Sequence, residues 1–538
     1  MPYPRYVATT QDQQEHVPAP AAPGRHSPRA AGAAAGLLGA GMALLADGVM
    51  HLLFESVPFA PVAVGQAVIR AAPGPVDAFF INRFQHFARP MAVIGAILGF
   101  AAVAAALGTA VPAVARRLGG RYPAAAVLSV PLYGFAVATY RPESGTVSLP
   151  VYALVLLPVF ALSVAATGRA FGSLLRRQDE GPDRLRRTVI NAVWMGGAGA
   201  LLGWAAAGHV FRRPNPGRLP LRARDVSPAP RPRPGPADRA ISGVPGLSPE
   251  ITPNDRFYVV NEELIYPDID PDTWSLRVHG LVDRPFSVSY RELKAMPAVE
   301  QYLTLECISN QVGGRLISNA KWTGVPLAHL LRRAGVRPGA LEVVSSSVDG
   351  YADSIPVADA MHPGTLVAFG MNGMVLPREH GFPARLLVPG YYGMKQPKWL
   401  GQIEAVDRPF QGYWEQRGWI KNAVVKTMSR IDTPGSGHVG AGEVVVAGVA
   451  FAGDRGISRV QVSPDGGRSW RDARLETALS PSTWRRWRFS FRPQGNAQAR
   501  ILVRATDGTG AVQTSAVIPP EYSGSTGWHG VEVVDQSS

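Results

Sequence analysis

The sequence predicts a three-part chain: a five-helix transmembrane domain, then an α+β domain, then an immunoglobulin-like β-sandwich. Long apolar runs without polar faces fill residues 31–211, and such runs require a bilayer, because a soluble helix would alternate its faces. Between residues 251 and 422 helix-period and strand-period stretches are mixed, and from 423 to 520 short strands recur between turn signals. The first pattern reads as α+β and the second as a sandwich. A chain of 538 residues is expected to hold more than one domain in any case.

Residues 1–30 are polar and proline-containing, the composition of a disordered N-terminus, and lack the pattern of a cleavable signal peptide. Five apolar runs follow, Ala33–Phe54, Met91–Val111, Pro123–Tyr140, Val147–Thr167 and Val189–Phe211, each about the ~20 residues a span needs. A shorter run, Val57–Ile69, holds two prolines and is expected at the interface or re-entrant.

Arginines set the orientation. With the N-terminus inside, the inner segments carry Arg25 and Arg29, then Arg116, Arg117 and Arg121, then Arg169, Arg176, Arg177, Arg184, Arg186 and Arg187. The outer loops carry only Arg70, Arg83, Arg89 and Arg141, as the positive-inside rule demands. An odd number of spans then puts everything after Phe211 on the outer face of the membrane. Arg186-Arg187, directly before the last run, resembles an internally placed twin-arginine export signal, and equally reinforces the inner side.

Residues 212–250 are basic and proline-rich, including Pro228-Ala229-Pro230-Arg231-Pro232-Arg233-Pro234. Proline favours an extended rise of ~3.1 Å per residue, so this stretch reads as a stiff spacer. Beyond it, Trp274–Gly280 alternates as a strand, Ser289 caps a short helix to Met296, Leu327–Leu331 opens an amphipathic helix ending near Gly335, and Leu341–Ser345 and Arg385–Val388 read as strands. In the sandwich, Glu443–Val449, Ser458–Val462 and Arg500–Ala505 read as strands, with Trp470, Trp484 and Trp487 for core or interface, and residues 521–538 as a tail.

A net charge of +14 would suggest nucleic acid if the basic residues clustered with aromatic platforms, but many sit in short loops between apolar runs. No nucleic-acid partner is expected. The chain holds one cysteine, Cys307, which excludes intramolecular disulfides, Cys-x-x-Cys sites, iron–sulfur clusters and covalently attached haem. A lone thiol is either a small core hydrophobe or a reactive group. Tyr302, Leu303 and Leu305 form an extended run that delivers Cys307 to the turn Ser309-Asn310-Gln311-Val312-Gly313-Gly314, and a thiol at such a strand end can reach a ligand.

The motifs around it come in a specific order. Phe257-Tyr258-Val259-Val260-Asn261 precedes Thr304-Leu305-Glu306-Cys307-Ile308-Ser309-Asn310, then Trp322-Thr323-Gly324-Val325-Pro326-Leu327. Gly350-Tyr351-Ala352-Asp353-Ser354-Ile355-Pro356, Met371-Asn372-Gly373, Pro377–Arg385 and Gly393–Leu400 follow. Together these resemble the sulfite oxidase family of molybdenum-cofactor enzymes, over roughly residues 251–420, and Val462–Trp470 looks like that family's C-terminal dimerisation domain. The resemblance implies a bacterial, membrane-anchored member that carries one molybdopterin and is able to dimerise. Cys307 would be the metal-bound thiolate, a soft ligand suited to such a metal. Tyr351 would approach the exchangeable oxygen and Asn310 would shape the turn, while Tyr258, Asn261, Ser309, Ser354, His380, Arg385, Lys395 and Lys398 would surround the cofactor, the cations neutralising its phosphate.

The departures bear on substrate. The family's Phe-Val-Arg-Asn run has Val260 here in place of arginine, and the arginine pair after the cysteine motif is Gln311-Val312. An oxyanion wants a guanidinium, so sulfite is the less expected substrate, and the pocket is nearer to the bacterial periplasmic branch that reduces sulfoxides. The reaction implied is oxygen-atom transfer on a small molecule, with electrons passing to or from a cytochrome or the quinone pool. Asp47, His51 and Glu55 share a helix face at the outer end of the first run, with His86 and His209 nearby in topology. They suit a quinone or, less expected, a haem b site, and also simple pairing at the interface. The alternative reading is a membrane-anchored binding protein on the same fold without its cofactor.

Overall fold

The computed structural model describes residues 28–53, 57–73, 76, 88–140, 147–177, 215–223, 225–261, 266–439, 442–492, 499–520 and 522–535. The chain divides into two compact units, one drawn from Met1–Val49, Leu98–Phe135 and Val155–Trp204, the other from Met50–Ile97, Ala136–Leu154 and Ala205–Ser538.

Four described helices are long and apolar enough to cross a membrane: Arg29–His51, Met91–Arg117, Arg121–Thr139 and Leu149–Leu174. They take up the first four expected spans. The fifth, Val189–Phe211, lies outside the described residues, as do Arg186-Arg187, Glu55, His86 and His209. Helix Ala60–Ala71 has only 12 residues, well short of the ~20 that reach across a bilayer. In the first unit, glycines let two helices meet backbone to backbone. A Cβ on Gly32 would lie 2.2 Å from the Gly108 carbonyl oxygen, and one on Gly36 2.2 Å from that of Ala104. Residues four apart share a helix face, so Gly32 and Gly36 form a small-residue seam of the kind that joins helices in lipid.

The second unit contains a mixed α/β domain and a β-rich domain. In the mixed domain a six-stranded sheet runs Val226–Ser227, Ala298–Glu306, Ile317–Pro326, Leu366–Met371, Arg385–Leu387, with Met374–Val375 paired to Leu366–Met371. A five-stranded sheet runs Phe286–Ser289, Ser275–Gly280, Leu400–Val406, Glu342–Ser347, Ala352–Pro356. Leu276, Val278, Leu327, Leu330, Val343, Val367, Phe369 and Ile403 fill one buried core shared by both sheets. Sequence signals work locally here. Ser289 and Glu292 form a reciprocal capping box on helix Tyr290–Ala295, and Gly335, at φ 70°, ends helix Leu327–Ala334 in the left-handed conformation that glycine tolerates.

The β-rich domain packs two sheets around Val446, Val460, Val462, Trp487, Phe489, Ile501 and Val503. Trp487 fills this core, whereas the Trp484 backbone N–H donates to the Thr304 hydroxyl at 2.8 Å and its indole N–H to Glu250 O at 3.2 Å. Trp470 stacks edge-on against Trp528 with ring centroids 4.8 Å apart.

Two segments differ from expectation. Of residues 212–250, read as a stiff spacer, the described residues 215–223 and 225–250 lie along the folded body: Val226–Ser227 adds a parallel strand beside Ala298–Val299, Leu221 N–H donates to Gly373 O at 3.0 Å, Thr477 N–H donates to Asp238 at 3.0 Å, and Ser248 N–H donates to Asp432 at 2.9 Å. Extended proline-rich chain is compatible with either arrangement, since proline disfavours helix interiors without specifying a surface to lie on. Residues 521–538, read as a tail, contain strand His529–Asp535, which pairs antiparallel with Ala499–Asp507 and parallel with Gly437–Val439.

Candidate active site

Cys307 sits one residue past strand Ala298–Glu306, where the chain turns. Its N–H donates to Leu316 O at 2.9 Å, and Asn310 N–H donates to Cys307 O at 2.9 Å. The Asn310 side chain closes the loop: Nδ2 donates to Glu306 Oε1 at 2.9 Å and Oδ1 accepts from Leu316 N–H at 2.9 Å. A Cβ on Gly314 would lie 2.4 Å from that Oδ1, so glycine is required there. The β-rich domain grips the same loop, because the Ser525 hydroxyl donates to Asn310 O at 2.6 Å and Arg430 Nη1 donates to Gly314 O at 2.8 Å.

Cys307 is buried and lines a cavity. Two sets of side chains meet there. One is cationic and tightly packed: Arg385 lies over Trp322, Trp322 meets Phe257 edge-on, and Phe257 packs on Tyr258 and His380, with Lys398 beside them in the lining. The other is aromatic and apolar: Trp414, Trp419, Met394, Ile308 and Tyr351 form one cluster. Val260 and Val259 also line the cavity.

Electrostatics separates the roles. Arg385 is 5% exposed and donates to His380 O at 3.1 Å and Gln396 O at 3.3 Å, while its Nε has no partner. Burial lowers its pKa to about 10, so the guanidinium stays charged at neutral pH. Burial, reinforced by Arg385 and Lys398 and opposed by the hydrogen bond with Asn254, lowers His380 to about 3. The imidazole is therefore neutral. Its Nε2 faces Asn254 O at 3.0 Å and must carry the proton, which leaves Nδ1 as an acceptor. Burial, then the Cys307 charge, pushes the Tyr258 phenol well up. Burial likewise raises Glu306 to about 8, with the Asn310 hydrogen bond and Arg430 holding it lower than burial alone would.

The cavity thus gathers Cys307, Tyr351, Tyr258, Ser309, His380, Arg385 and Lys398. Asn310 is buried behind the loop that it shapes. Asn261 adjoins the lining residue Val260, and both of its buried amide atoms lack partners. Lys395 and Ser354 do not line the cavity. Lys395 is held between Asp353, at 2.7 Å, and Glu415, and the Ser354 hydroxyl donates to Glu342 at 2.7 Å. Lys398 donates to Val260 O at 2.9 Å. The sequence reading passed over Trp414 and Trp419, although Gly412-Tyr413-Trp414-Glu415-Gln416-Arg417-Gly418-Trp419 is dense in aromatics for a junction between domains.

These residues suit a bulky anionic cofactor with a soft metal. An unpaired guanidinium nitrogen and an unpaired amide offer hydrogen bonds that no protein group takes, which calls for a ligand. Among the described residues no group of three or more His, Cys, Asp or Glu side chains could hold a metal ion alone.

Comparison with known proteins agrees. Residues 263–414 match the oxidoreductase molybdopterin binding domain, and residues 413–534 the Mo-co oxidoreductase dimerisation domain. The mitochondrial sulfite oxidase of Rattus norvegicus is 33% identical over 335 residues, covering 53% of this chain and 61% of that protein. The sulfite oxidase of Gallus gallus is 30% identical over 334 residues, covering 52% and 72%. This chain therefore spans about three fifths of the mammalian relatives it matches. The solved sulfane dehydrogenase SoxCD of Paracoccus pantotrophus is 25% identical, with a TM-score of 0.47 over 54% of this chain and 82% of that one. The two adjoining domain matches and the relative covered over 72% of its length show that the chain belongs to the sulfite oxidase family of molybdopterin oxidoreductases.

Proposed function

We propose that this enzyme is anchored in a bacterial plasma membrane, acts on its outer face, and transfers an oxygen atom to or from a small uncharged substrate of the sulfoxide type. One observation carries the reading: the cavity that holds Cys307 sets a cationic group beside an apolar aromatic one, with Val260 lining it. Cations suit the phosphate of a single molybdopterin, and the apolar group suits a substrate without charge.

When bound, the cofactor supplies two-electron redox chemistry at its metal. Cys307 provides the protein's thiolate ligand. Arg385, Lys398 and His380 Nδ1, with Tyr258, Ser309 and Asn261, hold the pterin. Asn310 fixes the loop, and Lys395 and Ser354 support the wall from behind. The Tyr351 hydroxyl donates to Met394 O at 2.6 Å and lies 3.5 Å from Asp353, so it holds a proton beside the reacting atoms. Reduction of a sulfoxide consumes two protons and two electrons and releases a thioether and water. The electrons come singly from a cytochrome or from quinol, and the β-rich domain supports a homodimer. A haem b in the membrane part has no comparable support, and family membership does not favour the cofactor-free alternative.

The test is the purified full-length protein, assayed with reduced viologen and methyl phenyl sulfoxide against sulfite with an electron acceptor. Sulfoxide reduction with the higher kcat/KM supports the reading, and efficient sulfite oxidation without sulfoxide turnover sinks it. Stoichiometric molybdenum, absent from Cys307→Ser, is expected in the same preparation.

A further inference from the structure

We infer that the Trp419 indole N–H is the donor that holds the oxygen atom of the substrate, and that it selects an uncharged sulfoxide over a charged oxyanion. The inference rests on the functional reading above and names the residue that enforces it.

Trp419 is 5% exposed, lines the cavity that contains Cys307, and has a buried Nε1 without a hydrogen-bond partner. An indole nitrogen can only donate, and a buried donor left unpaired is costly enough that native structures rarely keep one without use. The ring has little freedom to turn away. It packs against Trp414 at 5.3 Å and Tyr522 at 5.9 Å between centroids, its own backbone N–H donates to Trp414 O at 3.1 Å, and Ile420 N–H donates to Tyr522 O at 2.9 Å. The donor therefore stands ready in an apolar wall.

That wall matches one chemistry. A sulfoxide offers a single strongly polar S=O acceptor flanked by two carbon substituents, which suit one N–H set among Ile308, Met394 and Trp414. The Ser347 hydroxyl, also buried in the lining and without a partner, offers a second neutral contact. A sulfite dianion would need cations at the same place, yet Arg385 packs with Trp322 and Lys398 reaches the Val260 carbonyl.

Trp419→Phe removes the N–H and keeps an aromatic ring. In full-length enzyme, KM for methyl phenyl sulfoxide should rise about tenfold, the scale of one buried hydrogen bond. Competitive inhibition by methyl phenyl sulfide, which lacks the oxygen, should stay unchanged, as should molybdenum content. In 15N-tryptophan-labelled protein, the indole resonance missing from Trp419→Phe should shift with the sulfoxide and stay still with the sulfide. An unchanged KM overturns the inference. Equal losses for sulfoxide and sulfide also overturn it, because they reveal packing alone. Failure of the parent enzyme to turn over sulfoxide at all would instead overturn the functional reading.

Discussion

Lys395 Nζ lies 2.7 Å from Asp353 Oδ1, with 2% and 1% of the two side chains exposed. Glu415, from the segment that carries Trp414 and Trp419, closes on the same ammonium, so one cation balances two buried carboxylates. Lys395→Met leaves both carboxylates without a counter-charge and should destabilise the protein by about 3–5 kcal/mol. Thermal unfolding of the variant measures this. Adding Asp353→Asn and Glu415→Gln should recover much of the loss, since neutral groups are cheaper to bury than unpaired charges.

His380 gives a pH prediction. Its pKa is lowered from 6.5 to about 3, so between those values the unfolded chain binds a proton that the folded chain refuses. Stability is complete above pH 6.5 and falls as pH drops towards 3, with a slope approaching about 1.4 kcal/mol per unit from this residue alone. His380→Gln keeps a donor for Asn254 O and removes the titration. Urea unfolding across this range should give a shallower acid loss for the variant, and equal slopes would show that the imidazole titrates normally.

Val260→Arg places a guanidinium where the chain departs from the sulfite oxidase pattern. A charge-assisted contact is worth about 1.5–3 kcal/mol, so kcat/KM for sulfite should rise ten- to a hundredfold while that for sulfoxide falls. Steady-state kinetics with both substrates decides the matter.

Gly36→Leu should separate two of the long apolar helices, because even a Cβ at that position would lie 2.2 Å from the Ala104 carbonyl oxygen. The variant in detergent should lose thermal stability in its helical signal and retain its molybdenum, since no cavity residue belongs to that seam.

Much of the lining of the Cys307 cavity could be read from the chain because its signals are local. Cys307 is the sole cysteine, it follows a strand, and Asn310 lies within hydrogen-bonding reach along the sequence. The strands at Ser275–Gly280 and Val444–Phe451 and the Ser289 cap depend on neighbouring residues and are found close to where their periodicity puts them. What escaped depends on distant partners. Lys395 looks like a phosphate contact until Asp353 and Glu415 fold against it from 42 and 20 positions away. Trp414 and Trp419 reach the cavity through tertiary packing that no periodicity records. Residues 215–250 have an extended composition, which fixes the shape of a backbone and says nothing of the surface it follows.

The grip of Ser525 on the Asn310 carbonyl, across 215 positions, has a consequence in time. A ribosome finishes the cysteine loop long before it makes the residues that hold the loop in shape. Until Arg430 and Ser525 are in place, two of the loop's carbonyls lack the donors that they meet in the finished protein. The loop therefore takes its finished shape only after residue 525 has been made, and a nascent chain cut short before Arg430 would carry the thiol on a loop without these two clamps.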